Sequence, residues 1–149
     1  MAGPTLSSET LHASCVAKNG AAILIAGRSG AGKSDLALRL IDRGASLVSD
    51  DYTLVRRLSG RLVASAPPTI SGKMEVRGLG VVDFDQKDDV PICLYVDLDR
   101  EVERLPELID TIVIAGVSLP VIGLDSHHAS APVKVELALD RFGLKPVRR

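Results

Sequence analysis

Between Gly27 and Asp51 the chain reads GRSGAGKSDLALRLIDRGASLVSDD, and three kinds of chemistry-bearing residue fall inside it. Gly27, Gly32, Lys33 and Ser34 fit the phosphate-loop pattern: a glycine, four residues, then Gly-Lys and a hydroxyl. Glycines let backbone amides turn inward, where phosphate oxygens accept their hydrogen bonds. A helix starting at Lys33 would aim the positive end of its dipole at the same point. The loop residues Arg28, Ser29, Gly30 and Ala31 are expected to wrap the phosphates. Lys33 adds a full charge for the β- and γ-phosphates, and the Ser34 hydroxyl suits Mg²⁺. The third feature is the acid pair Asp50-Asp51. Adjacent carboxylates repel each other, and a metal-bound phosphate supplies the cation that relieves them. Asp97, which ends the apolar run ICLYVD, competes for the role of Mg²⁺ partner and is the better match on pattern alone. Each of these acids has a plainer reading as a turn residue. A GTPase should also carry a guanine-reading Asn-Lys-x-Asp, and the sequence has none.

The elements that must position these groups are legible in outline. ASCVAK and AAILIA read as strands joined by a tight Asn19-Gly20 turn. From Lys33 the period becomes helical, with Leu36, Ala37, Leu40 and Ile41 on one face and Gly44 as the stop. ASLVS is a strand running up to Asp50, and Ser59-Gly60 joins two further strands. TISGKMEVRGLGVVDF carries Gly72, Gly78 and Gly80 and predicts irregular backbone with short strand pieces. ICLYVDLD is a buried strand, DREVERLPEL a short helix stopping near Pro106, and TIVIAGVSLPVIGLD two strands around Gly116. A last helix is capped by Ser130, has Pro132 in its first turn and ends at Gly143. The expected fold class is α/β, with a mainly β core and helices after the glycine loop and at the C-terminus.

Composition narrows the function further. At 149 residues, one compact domain is expected over residues 1–149, with residues 1–10 loosely held. A formal net charge of −1 excludes a broad nucleic-acid footprint, and the absence of Trp argues against a base-stacking platform. Residues 145–149 form a short basic tail that reads as a solvated end. No apolar run approaches the ~20 residues of a membrane helix, and no secretory leader is visible, so a cytoplasmic protein is expected. Cys15 and Cys93 each sit inside an apolar stretch and read as small buried hydrophobes.

The Gly27–Asp51 stretch, together with MEVRGLGVVD, closely resembles HPr kinase/phosphorylase, the bacterial family that phosphorylates a serine on the phosphocarrier protein HPr. That family joins a Walker A loop to an Arg-Gly run, an acid pair and a Glu-Ile-Arg-Gly-Leu-Gly signature; here Glu75 to Gly80 reads Glu-Val-Arg-Gly-Leu-Gly. The resemblance runs from about Leu11 to Asp83 and fades beyond. It implies a P-loop kinase core related to phosphoenolpyruvate carboxykinase, ATP and Mg²⁺ as cofactors, an HPr-like protein as partner, and a homo-oligomer, commonly a hexamer. It favours Asp50 and Asp51 over Asp97. It makes Asp51 the proton acceptor and assigns Mg²⁺ to Ser34, Glu75 and Asp50. Lys33 becomes the phosphate-binding lysine, and Arg77, with Gly78 and Gly80, falls in the signature loop. His12, which residue type alone would make an exposed terminal residue, takes the place of the family's active-site histidine. Arg104 in VERLPE is the nearest match to the family's downstream arginine, with Arg100 close by and a solvated face as the plainer reading.

Three departures bear on activity. The chain starts almost at the catalytic core, the region beyond that core is short, and the Pro-Gly-Arg-Asn segment used in dephosphorylation is replaced by GLDSHHAS, with Asp125, Ser126, His127 and His128. The expectation is a truncated form, a kinase with weak or absent phosphorylase activity. Two other readings share the loop: a small-molecule kinase, which would need an acceptor pocket and a lid, and a non-catalytic nucleotide sensor, which would need no base.

Overall fold

A computed structural model describes residues 7–105 and 107–146. The chain enters through β1 (Ser8–Leu11), where loose structure was expected; the strand pairs antiparallel with β5 (Thr53–Leu58), Glu9 lying opposite Val55. Its backbone bonds are satisfied by a partner more than forty positions away, which no local pattern announces. The first six residues lie outside the described part, as do Pro106 and residues 147–149.

β2 (Ala13–Lys18) and β3 (Ala21–Ala26) form the expected hairpin through Asn19-Gly20. Every residue of β3 is buried, as its continuous apolar run requires. α1 (Lys33–Asp42) follows the glycine loop and buries Leu36, Ala37 and Leu40. β4 (Ser46–Ser49) returns antiparallel to β2 and delivers the chain to Asp50 and Asp51. β5 and β6 (Arg61–Ser65) make the second hairpin. After a single 3₁₀ turn at Pro68–Ile70, β7 (Lys73–Val76) and β8 (Gly80–Asp83) pair only with each other among the described residues. The glycine-bearing segment is therefore a separate small hairpin. Then come β9 (Val90–Asp97), β10 (Asp110–Ile114), β11 (Val117–Gly123) and α2 (Ala131–Phe142).

β9 organises the sheet. Along one side it lies parallel to β3, with Ala26 opposite Asp97. On its other side, its first residues pair with β6 and its last three with β11, so two sheets fork from one strand. One face of β2, β3 and β9 packs through Ala13, Cys15, Leu24 and Ile92 against the β5–β6 and β10–β11 layers. The other face packs through Val16, Ile23, Ile25 and Leu94 against both helices. Cys15 and Cys93 are free and buried, as expected, and burial pushes both thiols up.

Two local expectations fail. The segment 101–105 carries no helix: its residues are exposed, with no apolar face to dock. Ser130 stands at the N-cap of α2, but its backbone is already right-handed helical (φ −80°, ψ −2°) and its side chain makes no capping bond. Gly143 does end the helix, its N–H donating to Leu139 O at 3.0 Å.

Gly123 closes β11 where the chain passes under the 98–105 loop. A Cβ there would stand 2.6 Å from Glu101 O and 2.9 Å from Arg100 O, both main-chain atoms that cannot swing away. Gly123→Ala should destabilise the protein by roughly 1–3 kcal/mol, the usual cost of overpacking. Chemical denaturation of the variant against the parent measures it.

Candidate active site

The phosphate loop lies where a buried strand meets a helix. β3 holds Ala26 by pairing on both sides, and α1 begins at Lys33 with its first amides facing the loop. Gly32 at the N-cap has φ 96°, a left-handed value that glycine takes without strain. A Cβ on Gly32 would also stand 2.6 Å from Ser126 Oγ. That hydroxyl is buried and donates to Ala31 O at 2.6 Å, bracing the turn from beneath. Arg39 on α1 holds the segment in place by donating to the carbonyls of Ser126 and His128.

Lys33 is 6% exposed, and its Nζ donates to Gly27 O at 2.7 Å and Arg28 O at 3.0 Å. The ammonium thus closes the loop on itself. The other side of that turn is clamped by Asp99: Arg28 N–H donates to its Oδ2 at 2.7 Å and the Arg28 guanidinium to Oδ1 at 2.8 Å. Ser34 Oγ donates to Asp50 Oδ1 at 2.6 Å. The same oxygen accepts from Ser14 Oγ at 2.9 Å. Asp50 is therefore turned inward and buried, beside the hydroxyl that ends the phosphate-loop motif.

Asp51 points the other way. Its backbone has φ 66°, uncommon outside glycine but among the values aspartate tolerates. Its side chain is 56% exposed, and its Oδ1 lies 2.9 Å from His12 Nε2. The His12 ring stacks on Tyr52 with centroids 5.1 Å apart, which fixes its plane. Two acids adjacent in sequence thus face different surroundings.

These groups line one cavity of about 1040 Å³. Its floor is Ser29, Gly30, Gly32, Lys33 and Ser34; the acid pair, His12 and Tyr52 form one wall. The β7–β8 hairpin adds Glu75, Arg77 and Val81 to the lining. The hairpin therefore brings the second sequence motif to the first. Gly27, Arg28 and Ala31 stay out of the lining; Gly27 and Arg28 present carbonyls to Lys33, and Arg28 spends its charge on Asp99. Arg104 is exposed and is not brought to the cavity, while Arg100 pairs with Asp110 at 2.8 Å. Asp97 accepts the Asp99 N–H at 2.9 Å, the bond of a strand-end turn.

The donor set suits a hard divalent ion. A hydroxyl and a carboxylate oxygen already stand side by side at Ser34 and Asp50, with no sulfur or imidazole among them. Loop amides, the helix N-terminus and Lys33 suit polyphosphate. Sequence reasoning missed Ser14, Tyr52 and Asp99, and it named Ser126 only within the segment that replaces Pro-Gly-Arg-Asn, not as a brace for the phosphate loop. Ser14 left one signal: a hydroxyl within the apolar run of residues 13–17. The others act across long sequence separations.

Comparison with known proteins follows this geometry. The family model for the HPr Serine kinase C-terminal domain matches residues 5–135. The HPr kinase/phosphorylase of Clostridium tetani is 49% identical over 79 residues, covering 52% of this chain and 26% of that protein. That of Chlorobium limicola is 39% identical over 127 residues, covering 76% of this chain and 38% of that protein. The chain thus spans between a quarter and two-fifths of the length of these curated relatives. The solved Hpr(Ser) kinase/phosphatase from Coxiella burnetii superposes with a TM-score of 0.78 at 27% identity, covering 89% of this chain and 95% of that one. The expected sheet-dominated α/β fold with a C-terminal helix is the fold of that structure.

Proposed function

Because the chain belongs to the HPr Serine kinase C-terminal domain family, we propose that it is an ATP-dependent protein serine kinase acting on an HPr-like phosphocarrier protein, with weak or absent phosphorylase activity. The observation that carries this reading is the cavity in which a phosphate loop and a split acid pair meet, Ser34 on Asp50 at 2.6 Å and Asp51 turned toward open space. Under the same reading the protein is cytoplasmic, a single P-loop kinase catalytic domain that assembles as a homo-oligomer, a hexamer in the family resemblance. No described helix is long and apolar enough to cross a membrane.

The mechanism follows from the residues. Loop amides and Lys33 hold the ATP phosphates, Lys33 exchanging its two loop carbonyls for phosphate oxygens. Ser34 and Asp50, with Glu75 from the hairpin that lines the same cavity, would hold Mg²⁺, which would supply positive charge against the phosphates of the nucleotide. Arg77 on the hairpin faces the same space and can offset charge on the phosphoryl group. Asp51 accepts the proton of the incoming serine hydroxyl. A carboxylate is a weak base, and it suffices because phosphoryl transfer is loose and the proton leaves late. His12, bonded to Asp51 and stacked on Tyr52, keeps that carboxylate aimed. Orientation and charge placement supply most of the acceleration.

Dephosphorylation brings an anionic phosphate against an anionic phosphoserine and needs extra positive charge. The segment that would supply it holds Asp125, whose carboxyl the His127 N–H keeps below the usual range, so it stays anionic and repels phosphate. His128 Nε2 lies 3.5 Å from that same carboxylate. Incubation with purified HPr, ATP and Mg²⁺ should give one phosphoserine by mass spectrometry. Phosphoserine-HPr with millimolar phosphate should release pyrophosphate far more slowly. Any residual release should fall in a His127→Ala/His128→Ala variant, which removes the only imidazoles of that segment. Failure of the first assay removes the kinase reading. Phosphorolysis at the kinase rate, unchanged in the double variant, removes the second half of it.

A further inference from the structure

Asp50 and Asp51 are neighbours on the chain and perform unlike tasks in the reading above. Something must turn their side chains apart. β4 ends at Ser49, and β5 begins at Thr53, so both acids lie in a tight turn. Three bonds shape that turn. Tyr52 N–H donates to Asp50 O at 2.7 Å, Thr53 Oγ1 donates to Ala13 O at 2.7 Å, and the Ser49 hydroxyl donates to Tyr52 O. All three end on main-chain carbonyls, and none touches a carboxylate or the Asp51 amide.

Ser14 touches both. It is fully buried on β2, on the helix-facing side it shares with Val16, where an apolar residue would be the default. A hydroxyl has one proton to give and lone pairs to receive. Ser14 Oγ gives its proton to Asp50 Oδ1 at 2.9 Å and receives the Asp51 N–H at 3.1 Å. The first bond joins that of Ser34 on the same Asp50 oxygen. The second holds the Asp51 amide while its backbone sits at φ 66°, the conformation that throws its side chain toward His12.

We propose that Ser14 is a positioning residue that divides the acid pair, turning Asp50 inward onto Ser34 and Asp51 outward into the cavity. It is buried and does not line the cavity. Its hydroxyl sets the direction of both carboxylates at once, because a single oxygen serves as donor to one residue and acceptor to the next. The activity arm of its test rests on the kinase reading; the structural arms do not.

The experiment compares Ser14→Ala and Ser14→Thr with the parent protein in three measurements. The backbone dihedral of Asp51 comes from NMR couplings in the nucleotide-free protein. Mn²⁺ affinity of the ADP-bound protein comes from electron paramagnetic resonance, beside ADP affinity without metal. Transfer to HPr is separated into kcat and KM for ATP. In Ser14→Ala, Asp51 should leave the left-handed region and Mn²⁺ affinity should fall roughly 10-fold or more, the usual loss when a partner behind a metal ligand is removed. With Mg²⁺ present, kcat/KM for ATP should fall to at least a similar extent, while metal-free ADP affinity changes less than about 2-fold, since the phosphate loop is untouched. Ser14→Thr, which keeps the hydroxyl, should restore the Asp51 dihedral and the Mn²⁺ affinity. Should Ser14→Ala not fold, Ser14→Cys, similar in size with only a weak donor, carries the same expectations. An unchanged Asp51 dihedral with Mn²⁺ affinity within 2-fold of the parent overturns the proposal. So does a Ser14→Thr variant no better than Ser14→Ala. If dihedral and Mn²⁺ affinity move as expected but the parent transfers nothing to HPr, the kinase reading falls and the role of Ser14 stands.

Discussion

Asp51→Asn should bind ATP nearly as the parent does and transfer phosphate to a protein serine at least ~10²-fold more slowly, the low end for loss of a general base. The substitution keeps the shape of the side chain and leaves the amide oxygen able to meet His12 Nε2, now 2.9 Å from the carboxylate. It does not touch the phosphate loop: Asp51 faces the cavity, while Asp50 is the acid bonded to Ser34. The split between binding and turnover is therefore the diagnostic, read by calorimetry beside a phosphoserine assay. It also separates an enzyme from a nucleotide sensor, which has no use for a base and should be indifferent to the change. Undiminished transfer would move the base role to His12, the nearest group of suitable chemistry.

Lys33→Ala should lower ATP affinity by about 10²-fold and bring transfer below detection. Two effects add. The β- and γ-phosphates lose a charged hydrogen-bond donor, worth roughly 1.5–3 kcal/mol. The loop also loses the ammonium that joins Gly27 O and Arg28 O, leaving Asp99 to hold that turn alone. A loop free to open must be ordered again on binding, a cost the parent meets in folding. Lys33→Arg separates the contributions: it keeps the charge but replaces a compact ammonium with a planar fork that fits the turn poorly. Arginine should recover part of the affinity and little of the transfer rate. Parent-like binding and transfer in Lys33→Ala would remove the phosphate-loop reading altogether.

What the sequence disclosed and what it withheld divide by distance along the chain. The phosphate loop, the Asn19-Gly20 and Ser59-Gly60 hairpins and the α1 stripe are local patterns, each decided by neighbours within a few positions. The groups that finish the site are not local. Asp99 reaches Arg28 across 71 positions, and Ser126 reaches Ala31 across 95. Neither residue has a type or spacing that marks it, since an aspartate after a strand and a serine in a loop are commonplace. β1 escaped for a similar reason: SETL has no strand-like pattern of its own, and β5 recruits it. The helix expected near Glu101 failed in the opposite sense, because local propensity without an apolar face to bury does not hold a short helix. Arg104 was placed by motif likeness alone, and the exposed loop that carries it ends away from the cavity.

The pairing of β3 with β9 has a consequence for biosynthesis. The strand that carries the phosphate loop lies beside a strand about seventy residues later, and the turn after that later strand supplies the clamp on Arg28. At ~5–20 residues per second, a ribosome would release the glycine loop roughly 4–14 s before Asp99. During that interval the loop exists only as a segment without its sheet neighbour. Cellular ATP, which favours a fold only by binding it, has no formed site to act on and cannot assist the early stages. On the kinase reading, nucleotide would therefore stabilise only nearly finished chains, and the β2–β3 hairpin would wait for β9 without its help.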